Sequence, residues 1–179
     1  IAFTRSFLGF GLDSARAAGE AQWTGPDWIF NITYSEHDGE KAYSGQAQYY
    51  FGDRFKLSAN VWRGQSEERT RNLYGLWGVL GLTKKIYWMT EADLQDSWQA
   101  EFSQAAVSFN RLGYTLRKGL DVFVQSEHLH KDLKNHDTIN NRNGLGLQFY
   151  PHPHIELSGI WNRQKSQAPG ALEEDYAWI

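Results

Sequence analysis

The sequence predicts an all-β fold, an antiparallel up-and-down transmembrane β-barrel with about ten to twelve strands, and three observations predict it. Apolar and polar residues alternate within successive short segments: Trp28, Phe30, Ile32 and Tyr34 interleave with Asn31, Thr33 and Ser35, and Phe55, Leu57, Ala59 and Val61 with Lys56, Ser58 and Asn60. Alternation at period two gives a strand one apolar face and one wet face. The connectors between these segments are alternately tight and long, as in barrels with short turns at one end and longer loops at the other. Aromatic residues make up 15% of the chain, with 8 Trp, 9 Tyr and 10 Phe. That exceeds the need of one soluble core, and Trp and Tyr gather where hydrocarbon meets headgroups.

Taken in order, the alternation places strands at 5–23 (one long or two short), 28–37, 41–51, 55–65, 71–82, 85–96, 103–116, 120–130, 142–150 and 155–165, with an eleventh beginning near Asp175. The short connectors are Thr24 to Asp27, Gly52 to Arg54, Thr83-Lys84, Arg117 to Gly119 and Pro151 to His154, rich in the Gly, Pro, Asp and Lys that hairpins use. Between them lie the polar stretches His37–Glu40, Gln65–Arg71, Gln95–Phe102, Lys131–Asn141 and Gln164–Glu174, most of them longer. Aromatics flank the short turns, and Trp23, Trp28, Phe51, Phe55, Tyr87, Trp88 and Tyr150 are expected to form a girdle at that end. Two strands break the pattern. In 71–82 both faces are apolar or glycine, and in 103–116 the phase of Val107 and Phe109 conflicts with that of Leu112, Tyr114 and Leu116. A bulge, or an inner segment packed against these strands, would account for it.

Composition narrows the function classes. At 179 residues the chain is one domain of ordinary size, spanning 1–179. The mean hydropathy of −0.60 does not exclude a membrane, because each lipid-facing residue in a barrel strand is followed by a polar one. No run of about 20 apolar residues exists, which excludes a transmembrane helix, whereas a tilted strand spans with about 9–11 residues. The absence of cysteine excludes disulfides and thiolate metal sites. A net charge of −3 with no long basic stretch argues against nucleic acid as a partner. The start, Ile1-Ala2-Phe3, carries neither an initiator Met nor an apolar leader, so a signal peptide is expected to lie outside this sequence.

The hairpin from Asn143 through Gly144-Leu145-Gly146-Leu147-Gln148-Phe149-Tyr150-Pro151-His152-Pro153-His154 to Arg163 resembles a theme of the Gram-negative outer-membrane porins, above all the C-terminal half of specific-channel porins. In it a glycine-bearing strand, an aromatic-Pro turn and a returning amphipathic strand follow one another. Asp175 to Ile179 is similar to the opening of a final porin strand, without the terminal aromatic that such proteins present for assembly. An odd count with an unfinished strand leaves open edges, so the chain is expected to be a stretch of a larger barrel. The resemblance implies residence in the bacterial outer membrane and gradient-driven passage of small solutes through a water-filled lumen. It carries over no catalytic residue.

With the apolar positions toward lipid, the lumen is expected to receive Asn31, Thr33, Ser44, Gln46, Gln48, Lys56, Ser58, Asn60, Glu91, Asp93, Gln125, Glu127, Gln148, Glu156 and Ser158. Amides and hydroxyls with a minority of charges hydrate a pore and tune its selectivity; the same charges could instead pair across strands and only hold the wall together. His128 with His130, and His152 with His154, have a chelating spacing, yet no carboxylate or cysteine completes either pair, so no metal and no cofactor is expected. Asp93, Ser126, His128 and His130 near loop ends raise a hydrolase, a minor reading since nothing fixes a triad's geometry; the chain is read as no enzyme. Gly9/Gly11 and Gly144/Gly146 are strand glycines giving room for close packing. The expected partners are outer-membrane lipid and small solutes, with a homo-oligomer or a partner protein in a larger complex. The alternative function is a sheath, its lumen or rim holding a partner of a secretion, motor or electron-transfer assembly.

Overall fold

The computed structural model describes residues 17–37, 39–67, 70–96, 104–152, 154–171 and 173–178. Eleven strands follow one another: β1 Ala17–Thr24, β2 Trp28–His37, β3 Glu40–Phe51, β4 Phe55–Gln65, β5 Thr70–Gly81, β6 Ile86–Asp96, β7 Gln104–Arg117, β8 Leu120–His130, β9 Ile139–His152, β10 Ile155–Ser166 and β11 Glu174–Trp178. They form one sheet in chain order, every neighbouring pair antiparallel. This is an up-and-down barrel meander, with β1 paired to β2 and β11 to β10, and no pairing between β1 and β11 among the described residues. The strands expected from alternation are present with ends shifted by a residue or so, the largest extension being β9, which begins at Ile139. Of the segment expected at 5–23, residues 5–16, with the Gly9/Gly11 pair, lie outside the described residues.

Local chemistry explains the tight ends. Gly52 and Gly119 adopt φ of 60° and 78°, the left-handed backbone that glycine enters without a Cβ penalty. At the β5–β6 turn the Thr83 hydroxyl accepts from the backbone N–H groups of Lys85 and Ile86 at 3.1 and 3.0 Å, closing the turn with a side chain. At the opposite end, residues 131–138 fold back on themselves: Thr138 Oγ1 donates to the Asn135 carbonyl at 2.7 Å, and Leu133 N–H reaches the Gln104 carbonyl at 3.0 Å. At that end β2 stops at His37 and β3 starts at Glu40, a connector as short as the hairpin turns of the other end.

Burial is inverted relative to a soluble sheet. Register aligns Asn31 with Gln46, Gln46 with Asn60 and Asn60 with Gly75, so the polar residues of successive strands share one face. That face is the covered one. Gln48, Ser58, Asp93, Gln95, Gln125, Glu127 and Asn162 are buried there, while Ile32, Val61, Leu76, Leu145 and Leu157 are more than half exposed on the other. Among the described residues only six hydrophobic side chains are buried, against ten polar ones. In water this would expose a large contiguous apolar surface, which soluble monomers avoid.

The phase conflict in β7 has a simple origin, and it is not a bulge at that point. β7 pairs with β6 without interruption from Ile86/Tyr114 to Asp96/Gln104, and the shift against β8 falls later, between Thr115 and Arg117. Val107 and Phe109 point to the polar face, and Leu112, Tyr114 and Leu116 to the apolar one. Val107 packs with Leu73 and Leu129, edged by Trp62, in a small apolar island inside the polar face. The two-faced apolar character of β5 arises from the same island, since Leu73 faces inward and Leu76 outward.

Candidate functional site

The inner face is the candidate site, and all fifteen residues expected to line the lumen, Asn31, Thr33, Ser44, Gln46, Gln48, Lys56, Ser58, Asn60, Glu91, Asp93, Gln125, Glu127, Gln148, Glu156 and Ser158, are brought onto it by register. It divides into two regions of different character. Across β1–β6 lies a concavity of about 370 Å³, lined by Glu20, Asn31, Gln46, Asn60, Trp62, Trp77, Glu91 and Asp93 among others. Its amides are partly satisfied by each other: Gln46 Oε1 accepts from Gln48 Nε2 at 2.7 Å and from Asn31 Nδ2 at 3.4 Å. Ser58, almost wholly buried, donates to the Ala47 carbonyl at 3.1 Å.

Across β7–β11 the polar groups form a continuous chain. Arg111 Nη2 donates to Gln125 Oε1 at 2.9 Å, and Gln125 Nε2 to Glu127 Oε1 at 3.0 Å. Arg142 Nη2 meets both oxygens of Glu127 at 2.6 Å, while its Nη1 donates to the Tyr176 hydroxyl at 3.1 Å. That hydroxyl donates in turn to Gln164 Oε1 at 3.3 Å. Here the charges hold the wall together, as pairing across strands would predict, and a network of this kind rigidifies when fully satisfied.

The cations of the inner face are tied down. Arg71 grips Glu40 through Nε and Nη2 at 2.9 and 2.8 Å and lies 4.8 Å from the Trp62 ring centroid. Lys56 sits over Trp77 and Tyr50 at 4.6 and 5.0 Å, and Arg111 over Phe123 at 3.9 Å. These cation–π contacts hold positive charge against the wall. Sequence reasoning did not single out Arg71, Arg111, Arg142, Trp62 or Trp77. Their one visible signal was strand parity, which sets each on the polar face beside residues that were chosen.

Five of the seven expected girdle residues, Trp23, Trp28, Phe51, Phe55 and Trp88, lie on the outer face near the short turns. Rings run almost continuously there: Trp23–Phe30 at 5.4 Å, Phe30–Trp28 at 5.7 Å, Trp28–Tyr49 at 4.2 Å, Tyr49–Phe51 at 4.2 Å and Phe51–Phe55 at 4.9 Å. Tyr87 and Tyr150 are placed differently, on the inner face. Tyr87 pairs with Gly113 and covers it so closely that a Cβ on Gly113 would collide with the ring. Tyr150 has the parity of Gln148 and interacts with Glu156. An aromatic beside a turn has two faces to choose from, and strand parity sets both of these rings inward.

The catalytic and metal readings find no assembled site. Asp93 faces inward, whereas Ser126, His128 and His130 have outward parity, so the acid and the Ser–His pair lie on opposite faces. The His128 and His130 rings are 6.5 Å apart and hold different partners, Asn141 Oδ1 and the Asn135 carbonyl. Those of His152 and His154 are 6.4 Å apart. Among the described residues no three His, Cys, Asp or Glu side chains are grouped to hold an ion.

An antiparallel meander with its polar groups covered and its apolar groups outward defines a class, the transmembrane β-barrel wall. Within that class the fold is that of bacterial outer-membrane porins. The outer-membrane channel DcaP of Acinetobacter baumannii superposes with a TM-score of 0.66 at 11% identity, over 90% of this chain and 62% of that one. OpdQ of Pseudomonas aeruginosa gives 0.63 at 10% identity, over 91% and 56%, and the NanC porin 0.55 at 12%, over 90% and 89%. The chain thus spans about three-fifths of the length of DcaP. No family model and no curated protein matches its sequence.

Proposed function

We propose that this chain forms part of the wall of an outer-membrane channel through which small hydrophilic solutes diffuse passively. One observation carries the reading: a contiguous, half-exposed apolar face set back to back with a covered face of amides, hydroxyls and charges. Only a wall between hydrocarbon and a hydrated interior gives both faces a favourable environment. The β1–β6 concavity offers the room for solute, and the β7–β11 network supplies the stiffer side. The edges of β1 and β11 need partners in lipid, which further strands of the same wall would provide. On the outer face the run of rings from Trp23 to Phe55 serves as the interfacial girdle. The porin neighbours support a channel and offer no precedent for chemistry on this wall.

The test is single-channel recording of the full-length protein in a planar bilayer. Discrete ohmic steps are expected. A folded, membrane-inserted barrel that passes no current overturns the channel reading.

A further inference from the structure

The short-turn end of the wall carries a charge pattern that the lumen does not explain. The hairpins β3–β4, β5–β6 and β7–β8 are consecutive along the sheet, so their turns stand side by side, about 10 Å apart at two strand spacings each. Arg54, Lys84, Lys85, Arg117 and Lys118 are all exposed there, and Asp53 is the one acid among residues 52–54, 82–85 and 117–119. Asp121, the next acid along β8, faces inward beside Gln148. The chain as a whole has a net charge of −3, so positive charge gathers at this end against the balance of the molecule. None of the five bases enters an ion pair among the described residues, whereas Arg71, Arg142, Arg163 and Lys165 each hold a carboxylate. Bases crowded together without counter-charge repel one another, and an anion from outside relieves that cost.

The surface beside these bases is apolar and turned outward. Leu80, Trp88 and Leu112 form one register row of the outer face, and Ile86, Tyr114 and Val122 the next row toward the turns. Leu82 and Leu116, at the turns themselves, are exposed as well. Lys85 Nζ stands 5.9 Å from the centroid of the outward Tyr114 ring, which puts its charge on the lipid side of the wall and not in the lumen. Lys85 lies three residues below Trp88, Arg54 one below Phe55, and Arg117 three below Tyr114. At about 3.3 Å per residue and a tilt near 40°, three residues descend about 8 Å. A headgroup layer is about 5–8 Å deep on each side of the hydrocarbon, so the bases stand at the depth of lipid phosphates. Ammonium and guanidinium groups both suit phosphate, and the apolar rows above them suit acyl chains. An acidic protein would satisfy the charges and leave those rows without a partner; an anionic lipid satisfies both. We propose that the rim built by the β3–β4, β5–β6 and β7–β8 turns binds anionic phospholipid of the periplasmic leaflet. The phosphate meets Lys84, Lys85, Arg117 and Lys118, and the chains lie along Trp88, Leu112 and Tyr114. This rests on the outer face meeting lipid, and not on the lumen conducting.

The full-length protein, purified in a non-ionic detergent, is offered phosphatidylglycerol and phosphatidylcholine in equal amounts, and retained lipid is counted by native mass spectrometry. The parent is expected to keep phosphatidylglycerol in preference, a result that needs no variant. Lys84→Gln/Lys85→Gln/Arg117→Gln/Lys118→Gln is expected to lower the ratio of the two adducts about tenfold, since each base near an anionic surface contributes about fivefold and the four share few phosphates. Lys41→Gln/Arg63→Gln/Lys134→Gln/Lys165→Gln removes the same charge from exposed positions toward the loop end and is expected to match the parent. Heat-modified gel mobility checks that both variants fold. Glycerophosphoglycerol, the same headgroup without acyl chains, is expected to give no adduct. Equal retention of the two lipids by the parent, an unchanged ratio in the turn variant, an equal fall in the loop-end variant, or an adduct of the chainless headgroup each overturns the proposal. A barrel that passes no current and still prefers phosphatidylglycerol loses its channel and keeps this site. A parent that retains neither lipid overturns the site and the membrane wall together.

Discussion

Leu76 is 57% exposed on the outer face, and it offers a sharp test of which solvent that face meets. It lies five residues before the end of β5 at Gly81. At about 3.3 Å per residue and a tilt near 40°, that places it about 13 Å above the turn, close to the middle of an apolar band about 25 Å tall. Replacing a half-exposed leucine on a water-facing surface by arginine changes stability within about ±0.5 kcal/mol. The same change at a bilayer midplane costs about 2–4 kcal/mol, falling to about 0–1 near the interfaces. Leu76→Arg is therefore expected to lower unfolding free energy by about 2–4 kcal/mol, and Tyr43→Arg, two residues from Lys41 near the loop end of β3, by no more than about 1. Denaturant titration of the barrel refolded into phospholipid vesicles, followed by tryptophan fluorescence, measures both. If Leu76→Arg costs less than about 1 kcal/mol, or no more than Tyr43→Arg, the outer face is not a hydrocarbon surface and the argument for a membrane wall fails.

Glu127 is 1% exposed and accepts from both Arg142 and Gln125, so Glu127→Met leaves a buried guanidinium without its counter-charge and is expected to cost about 3–5 kcal/mol in the same titration. The double variant Glu127→Met/Arg142→Met should recover most of that loss, and a double variant as unstable as the sum of the singles would show that the pair is not a coupled unit. A Cβ at Gly146 would collide with the Phe123 ring, so Gly146→Val is expected to cost about 1–3 kcal/mol, with Phe123→Ala relieving it in the double variant. Equal heat-modified gel mobility and midpoint for Gly146→Val and the parent would show that the ring moves aside freely. Glu91 and Asp93 line the concavity, so Glu91→Gln/Asp93→Asn should move the reversal potential in a salt gradient toward anions. An unchanged reversal potential would place the solute path elsewhere.

Most of the fold could be read from the chain because each strand carries its own label. Period-two alternation survives burial only when the two faces meet different media, as in Trp28 to Tyr34 against Asn31 to Ser35. The connectors added direction through their lengths, short at 52–54 and 118–119 and longer at 131–138 and 167–173. The candidate lining was legible for the same reason, because parity alone carries Asn31, Gln46 and Asn60 to one face. Partnership was not legible. Glu40 and Arg71 are 31 residues apart and meet across β4 above Gly64, where any Cβ would intrude on the Glu40 carboxylate. No local pattern in β3 or β5 announces that contact; it exists only once two registers, β3 on β4 and β4 on β5, are set. Tyr87 and Tyr150 failed for a related reason, as the face each one takes follows from the register of its strand against its neighbours.

The inner glycines and the inner charges are thus one arrangement. A glycine on the polar face leaves a notch between two strands, and a long side chain from a neighbour fills it: Glu40 and Trp62 over Gly64, Tyr87 over Gly113, Phe123 over Gly146. Each notch lets a cation or ring lie flat along the wall and not project into the interior, which is where Arg71 and Arg111 are found. Projection, and with it the effective bore, is then controlled by residues that carry no side chain at all. Filling a notch should push the overlying group toward the axis, so substitutions at Gly64 or Gly113 act on passage through Arg71 and Tyr87, at a distance from any solute contact of their own.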